Sequence, residues 1–142
     1  MAPSILLLVP DLFFQARLET AAKRMDLRVL KAADAKSALE QAKKAAVAGV
    51  IVDLGASGKT GVFRFLEKAR VDKALAGMRT LGFLDHVRVD LAEKARKAGC
   101  GTVVSKGALS MDTQGYLRRL AGSLEGPVAA PKAEETPVPE EE

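Results

Sequence analysis

Asp53 is the residue whose placement most plainly asks for a chemical role. It ends the apolar run Val50, Ile51, Val52 and opens a Gly- and Ser-rich stretch before a helical pattern begins. In an open parallel sheet the carboxyl ends of central strands face a crevice, so a carboxylate placed there meets ligands rather than the core. The same stretch holds Gly58, Lys59 and Thr60, the close of a phosphate-binding loop G-x-x-x-x-G-K-[ST]. The first glycine of that pattern falls on Asp53, whose charge would repel phosphate. No strand beyond it clearly ends in the aspartate that positions Mg²⁺, Asp85 being a doubtful stand-in, so nucleotide hydrolysis is a poor reading. His86, the single histidine, adjoins Asp85. Without a nucleophile or a further base it reads as a loop residue rather than an acid-base catalyst.

These residues need a scaffold, and the hydrophobic pattern supplies one. Residues 4–9 form a run of Ile, Leu and Val without alternation, as a strand covered on both faces requires. Asp11 can cap the next helix, whose stripe is Phe14, Leu18, Ala21 and Met25. A half-polar edge strand is expected over 27–32, then a helix capped by Asp34 with Ala38, Leu39, Ala42, Ala45 and Ala46 inward. The third strand is expected over 49–53, followed by a helix burying Val62, Phe65, Leu66 and Ala69. A fourth strand spans 81–84, with Gly82 removing a side chain where something approaches closely. A helix over 89–98, a strand over 101–105 and a last helix over 111–124 capped by Ser110 complete five strands alternating with five helices. Such alternation predicts an α/β domain with a parallel sheet, right-handed crossovers and helices on both faces.

At 142 residues the chain is one domain's worth, read as a folded unit over 1–125 and a disordered acidic Pro/Glu-rich tail over 126–142. The tail holds four of the six prolines, and one lysine against five glutamates puts it at −4, leaving +8 on the body out of the net +4. The body's positive residues are spread among carboxylates with no aromatic platform for bases, so they read as a solvated surface and no nucleic-acid partner is expected. The single cysteine, Cys100, excludes an internal disulfide or multi-cysteine metal site, suits a cytoplasmic setting and is explained by packing. The opening apolar run is too short to span a membrane, and no membrane insertion is expected.

Asp11 after the first strand, Asp53 ending the third, Gly61 eight residues beyond it, Ala98-Gly99-Cys100, and Lys106 ending the fifth fall in order and spacing where response-regulator receiver domains carry their markers. The resemblance covers residues 4–124. It implies a flavodoxin-like (βα)5 fold, a doubly wound parallel five-stranded sheet in the order 2-1-3-4-5, in a bacterial two-component setting. It also implies roles: Asp53 as acceptor of a phosphoryl group from a histidine kinase, Asp11 and Asp53 as Mg²⁺ ligands, and Lys106 as the cation on the phosphoryl oxygens. A carboxylate can attack phosphorus only if a metal and a lysine offset its repulsion from the phosphoryl oxygens.

Several of the family's parts are replaced. Pro10 stands where the first strand should end in a second acid, and proline offers Mg²⁺ no side-chain oxygen. Leu84, by count from Ala98, takes the place of the Ser or Thr that hydrogen-bonds the phosphoryl group, and Asp85 beside it would repel phosphate. Val104 replaces the aromatic switch residue, and Gly107 replaces the proline after the lysine.

The reading is thus a non-catalytic pseudo-receiver, a signalling module acting through protein-protein interaction, with phosphorylation at Asp53 lost or vestigial and no cofactor expected. Its partner would be another signalling or cell-organisation protein, with a histidine kinase among the candidates. Receivers meet partners through the face of their fourth helix, fifth strand and fifth helix, which here would present Arg88, Lys94, Lys97, Arg118 and Arg119. The alternative is a single-domain response regulator phosphorylated on Asp53 with Mg²⁺. A third reading, a small-ligand receptor, rests on Gly82 opening the crevice.

Overall fold

The computed structural model describes residues 3–75, 77–85 and 88–122. The expectation of a disordered tail over 126–142, and the role of His86, lie outside the described residues. Five strands are connected by helices: β1 Ser4–Leu8, α1 Leu12–Arg24, β2 Arg28–Lys31, α2 Ala35–Lys44, β3 Val47–Asp53, a 3-10 turn Leu54–Ala56, α3 Ser57–Thr60, α4 Val62–Val71, a 3-10 turn Lys73–Leu75, β4 Arg79–Leu84, α5 Val89–Lys97, β5 Thr102–Ser105, α6 Lys106–Met111 and α7 Thr113–Ala121. All strand pairings are parallel and the order is β2-β1-β3-β4-β5.

The unbroken apolar runs of β1 and β3 follow from burial on both faces. Leu6, Leu8, Val50 and Val52 join the core under α2, α4 and α5. Ile5, Leu7, Val9 and Ile51 join the core under α1 and α7. Each fully buried Leu or Ile contributes roughly 1.5–3 kcal/mol, so these two central strands anchor the domain. At the sheet edge, β2 keeps Arg28 and Lys31 exposed, as its half-polar sequence requires.

The caps foreseen at Asp11 and Asp34 form. Asp11 Oδ1 accepts from the Phe13 and Phe14 amides at 2.9 and 3.2 Å, and Asp34 Oδ1 accepts from Ser37 at 2.9 Å. The α4 stripe of Val62, Phe65, Leu66 and Ala69 is buried as expected.

Four expectations need correction. The last helix does not run unbroken from Met111 under a Ser110 cap; the segment is split at Asp112, whose side chain accepts from the Gly115 amide at 3.2 Å and so starts α7. Ser110 lies inside α6, itself capped by Ser105, and Met111 is exposed. Ala46 is exposed because α2 stops at Lys44 and the chain turns directly into β3. In α1 the fully buried alanine is Ala22, with Ala21 packed partly against the same core. The described residues thus hold seven α-helices rather than five, the additions being α3 in the Gly-rich stretch and the division of α6 from α7.

Gly82 does mark a close approach, but the neighbour is the protein itself. A Cβ there would stand 2.8 Å from Leu54 Cδ1 and 3.2 Å from Cys100 Sγ. The space is filled by core, which removes the sequence argument for a ligand-receiving crevice.

Candidate functional site

The carboxyl ends of β1, β3, β4 and β5 meet at one end of the sheet and bring together Asp11, Asp53, Asp85 and Lys106. An open cleft of about 460 Å³ there is lined by Pro10, Asp11, Asp53, Gly55, Lys59 and Asp85, among others.

Asp53 is the last residue of β3, in register with Phe83 on β4, and is half-buried. Its Oδ1 accepts from the Gly55 amide at 3.0 Å. Burial, more than any other influence, pushes its carboxyl above the ordinary value; the Gly55 amide pulls down, the Asp85 charge adds to the rise, and Lys106 and the Ala56 amide oppose it. Asp11 goes the other way. The Phe14 amide is the largest cause holding it below the usual carboxylate range; desolvation acts next, in the opposite sense, and Phe13 and Lys106 pull it further down.

Ser105 fixes Lys106. By accepting from the Ala108 amide at 3.0 Å it starts α6 immediately after β5, which makes Lys106 the first helical residue. The ammonium lies 3.7 Å from Asp11 Oδ2, 3.7 Å from Asp85 Oδ1 and 4.8 Å from the centroid of the Phe14 ring. That ring packs edge-on against Phe83 at 5.0 Å, so the base rests on the core under α1 and α7. Lys106 therefore pairs with Asp11 and Asp85 and acts on Asp53 only from further away.

The structure places the sequence's replacements where their chemistry can be judged. Leu84 is the last residue of β4, opposite Ser105, and is 1% exposed in the core under α2, α4 and α5. It offers the cleft no hydroxyl, whereas the next residue, Asp85, lines the cleft. Asp85 follows the strand with a side chain 67% exposed, free to pair with Lys106.

A divalent cation of the Mg²⁺ type asks for several oxygens in near-octahedral order. One Asp11 oxygen is taken up by two amides, Pro10 has no side-chain oxygen, and among the described residues no group of three His, Cys, Asp or Glu is placed to hold a metal ion. These side chains fall short of the oxygens that ion asks for.

The G-K-T stretch is not a phosphate loop here. Thr60 is buried and its hydroxyl donates to the Ala56 carbonyl at 3.2 Å, closing the short helix α3. Lys59 does line the cleft, a second cation that the motif brought to notice for the wrong reason. Sequence reasoning also missed the Lys106–Asp85 pair, whose only trace is an acid directly after a strand. Cys100 is packed away, its thiol donating to the Thr102 carbonyl at 3.3 Å and pushed up to about 11 by burial.

The five basic residues assigned to a partner face lie on α7, on α5 and at the start of α5, but not as one free patch. Arg88 is held by Asp90 at 3.2 Å, and Lys94 lies over the Phe63 ring at 4.4 Å, turned toward α4. Arg119 stacks on Tyr116 at 4.6 Å, while Lys97 and Arg118 are exposed.

Solved structures share this architecture. A response regulator from Hahella chejuensis aligns with a TM-score of 0.72 at 20% identity, over 85% of this chain and 93% of its own. The chemotaxis response regulator CheY4 of Vibrio cholerae gives 0.72 at 18% identity, over 84% and 99%. The receiver domain of the sensor histidine kinase PA1611 from Pseudomonas aeruginosa, solved with a magnesium ion coordinated in its active-site cleft, gives 0.73 at 18% identity, over 86% and 99%. No protein-family model and no curated protein matches the sequence. The chain thus has the flavodoxin-like fold of response-regulator receiver domains, with five parallel strands in the order 2-1-3-4-5. No helix among the described residues is long and apolar enough to cross a membrane.

Proposed function

We propose that the chain is a receiver-like signalling module that acts by binding another protein and performs no catalysis of its own, with phosphorylation at Asp53 lost or vestigial. One observation carries this reading: the ammonium of Lys106, beside the cleft, is shared between Asp11 and Asp85. A phosphoryl group arriving at Asp53 would meet the carboxylates of Asp11 and Asp85, an engaged Lys106 and the cleft-lining Lys59, and no hydroxyl from the buried Leu84. Attack by a carboxylate on phosphorus depends on positive charge at the oxygens where charge accumulates. Here the charge on Lys106 is already shared between two carboxylates.

The partner surface in this reading is built from α5, β5 and α7, with Arg118 and Lys97 as its free cations. A cytoplasmic signalling or cell-organisation protein is the kind of partner it suits.

The second reading keeps Asp53 as a phosphoacceptor for a histidine kinase, with Mg²⁺ supplied from solution. It is favoured by the survival of Asp11 and Asp53 in an open cleft, with Lys106 beside Asp11. Incubation with Mg²⁺ and acetyl phosphate, followed by intact-mass measurement of the parent and Asp53→Asn, decides between them. The first reading expects no phosphoryl adduct on either; an adduct on the parent that Asp53→Asn abolishes establishes the second.

A further inference from the structure

In a parallel α/β sheet every crossover helix ends at the pole where the strands begin. All five helices of nine or more residues finish on basic side chains, from Lys23 and Arg24 on α1 to Arg118 and Arg119 on α7. Cations there complement the helix dipoles, and the topology gathers them at one pole. Asp11, Asp53 and Asp85 occupy the opposite pole.

The basic pole contains a cleft of about 290 Å³ between the starts of β4 and β5 and α7. Met78, Leu81 and Leu120 give it an apolar floor, and Arg79 and Arg119 supply its charge. Among the described residues neither guanidinium has a carboxylate partner. A wider groove at the same pole, lined by Arg28, Lys43 and Lys44, differs in this respect: Lys43 is already paired with Asp72 at 3.2 Å.

The last described residue is Gly122, the C-cap of α7, and the Arg79 guanidinium lies against it. Twenty residues follow, with Glu134, Glu135, Glu140, Glu141 and Glu142 among them. An extended chain covers about 3.3 Å per residue, ample to return from Gly122 to a cleft one helical turn away. Prolines 127, 131, 137 and 139 preset φ and so reduce the entropy lost when such a segment is held extended.

We propose that residues 126–142 dock in cis on this cleft, with glutamates paired to Arg79 and Arg119 and a Pro-Val step laid over Met78, Leu81 and Leu120. The segment then masks the basic pole, and any acidic partner using Arg119 must displace it. This assignment is independent of whether Asp53 accepts a phosphoryl group.

The test is made on the full chain with Ala133→Cys, outside both Pro-Val steps and the glutamates, carrying a nitroxide and read by paramagnetic broadening of backbone amide signals. The native thiol of Cys100 is only 5% exposed and is left unlabelled. Docking predicts loss of most signal at Arg79, Gly101 and Arg119, unchanged on dilution. The loss should be reversed at about 1 M salt, where charges are screened within about 3 Å. It should also be reversed when the five glutamates are changed to Gln, substitutions that touch no described residue. Broadening confined to Gly122, broadening at Arg28 and Lys44 instead, or broadening passed from a labelled chain to an isotopically distinct unlabelled one would each overturn the proposal.

Discussion

Lys106 and Asp85 stand 3.7 Å apart at the carboxyl ends of β5 and β4, an ion pair between a base and an acid that follow neighbouring strands. Both side chains reach solvent, so the pair contributes at most about 1 kcal/mol to stability. In the function proposed above its weight is not in stability: it occupies a cation that a phosphoryl group or mimic at Asp53 would use.

If the missing acid is what weakens the cleft's hold on a divalent cation, restoring it should strengthen that hold. Pro10→Asp returns a side-chain oxygen just after β1, beside Asp11 in the cleft that Asp53 also lines. Isothermal titration should then show Mg²⁺ binding at least about tenfold tighter than the parent's, a gain of about 1.4 kcal/mol. No gain would mean that other features of the cleft exclude the ion.

Asp53 gives a pH prediction. Its carboxyl is raised in the folded protein, chiefly by burial, whereas the unfolded chain ionises near the ordinary value of about 3.9. Between those two values the folded state holds the extra proton, so this residue makes stability fall as pH rises through the window and leaves it lower above. Asp53→Asn keeps an oxygen for the Gly55 amide and removes the charge. Thermal melts should show it more stable than the parent at pH 7, with the difference vanishing as pH falls below the ordinary carboxylate pKa. A lower melting temperature at pH 7 would contradict this. Asp11, held below the ordinary range, acts in the opposite sense: its contribution is present above the unfolded pKa and is lost as pH falls through the folded one.

Leu54 sits where a side chain at residue 82 would go. Gly82→Ala should therefore cost about 1–3 kcal/mol by overpacking, measured by urea denaturation, and Gly82→Val more. Leu54→Ala and Gly82→Ala together should cost less than the sum of the two single changes, because they share one space.

Charge reversal at Arg118 and Arg119 should abolish partner binding. Arg118→Glu should leave the melting temperature unchanged. Arg119→Glu also removes the stacking on Tyr116, worth about 0.5–1 kcal/mol at a surface site, so a small decrease accompanies it. Binding that survives both reversals would move the interface off α7.

The parts of the fold legible in the sequence are those set by short-range physics. Ile5, Leu6, Leu7 and Leu8 in succession can be satisfied only between two layers, and Asp11 and Asp34 precede their helices at capping distance. Val62, Phe65, Leu66 and Ala69 share one helical face whatever lies beneath it. The break at Asp112 was hidden because Ser110 and Asp112 are both good caps two residues apart, with no glycine or proline to choose between them. The site was legible at Asp11, Asp53 and Lys106 but not at Asp85, since its pairing depends on where β4 stops relative to β5. Nor could the orientation of Lys94 toward Phe63 be read, because it depends on the rotation of α5 against α4.

The separation of helix-ending cations from strand-ending aspartates also orients the molecule in space. Once residues 126–142 are displaced from the basic pole, a negatively charged body draws the beginnings of the strands inward and leaves Asp53 looking away into bulk water. An encounter steered in that manner delivers α7 before any collision with Lys106, and it fades as ionic strength rises.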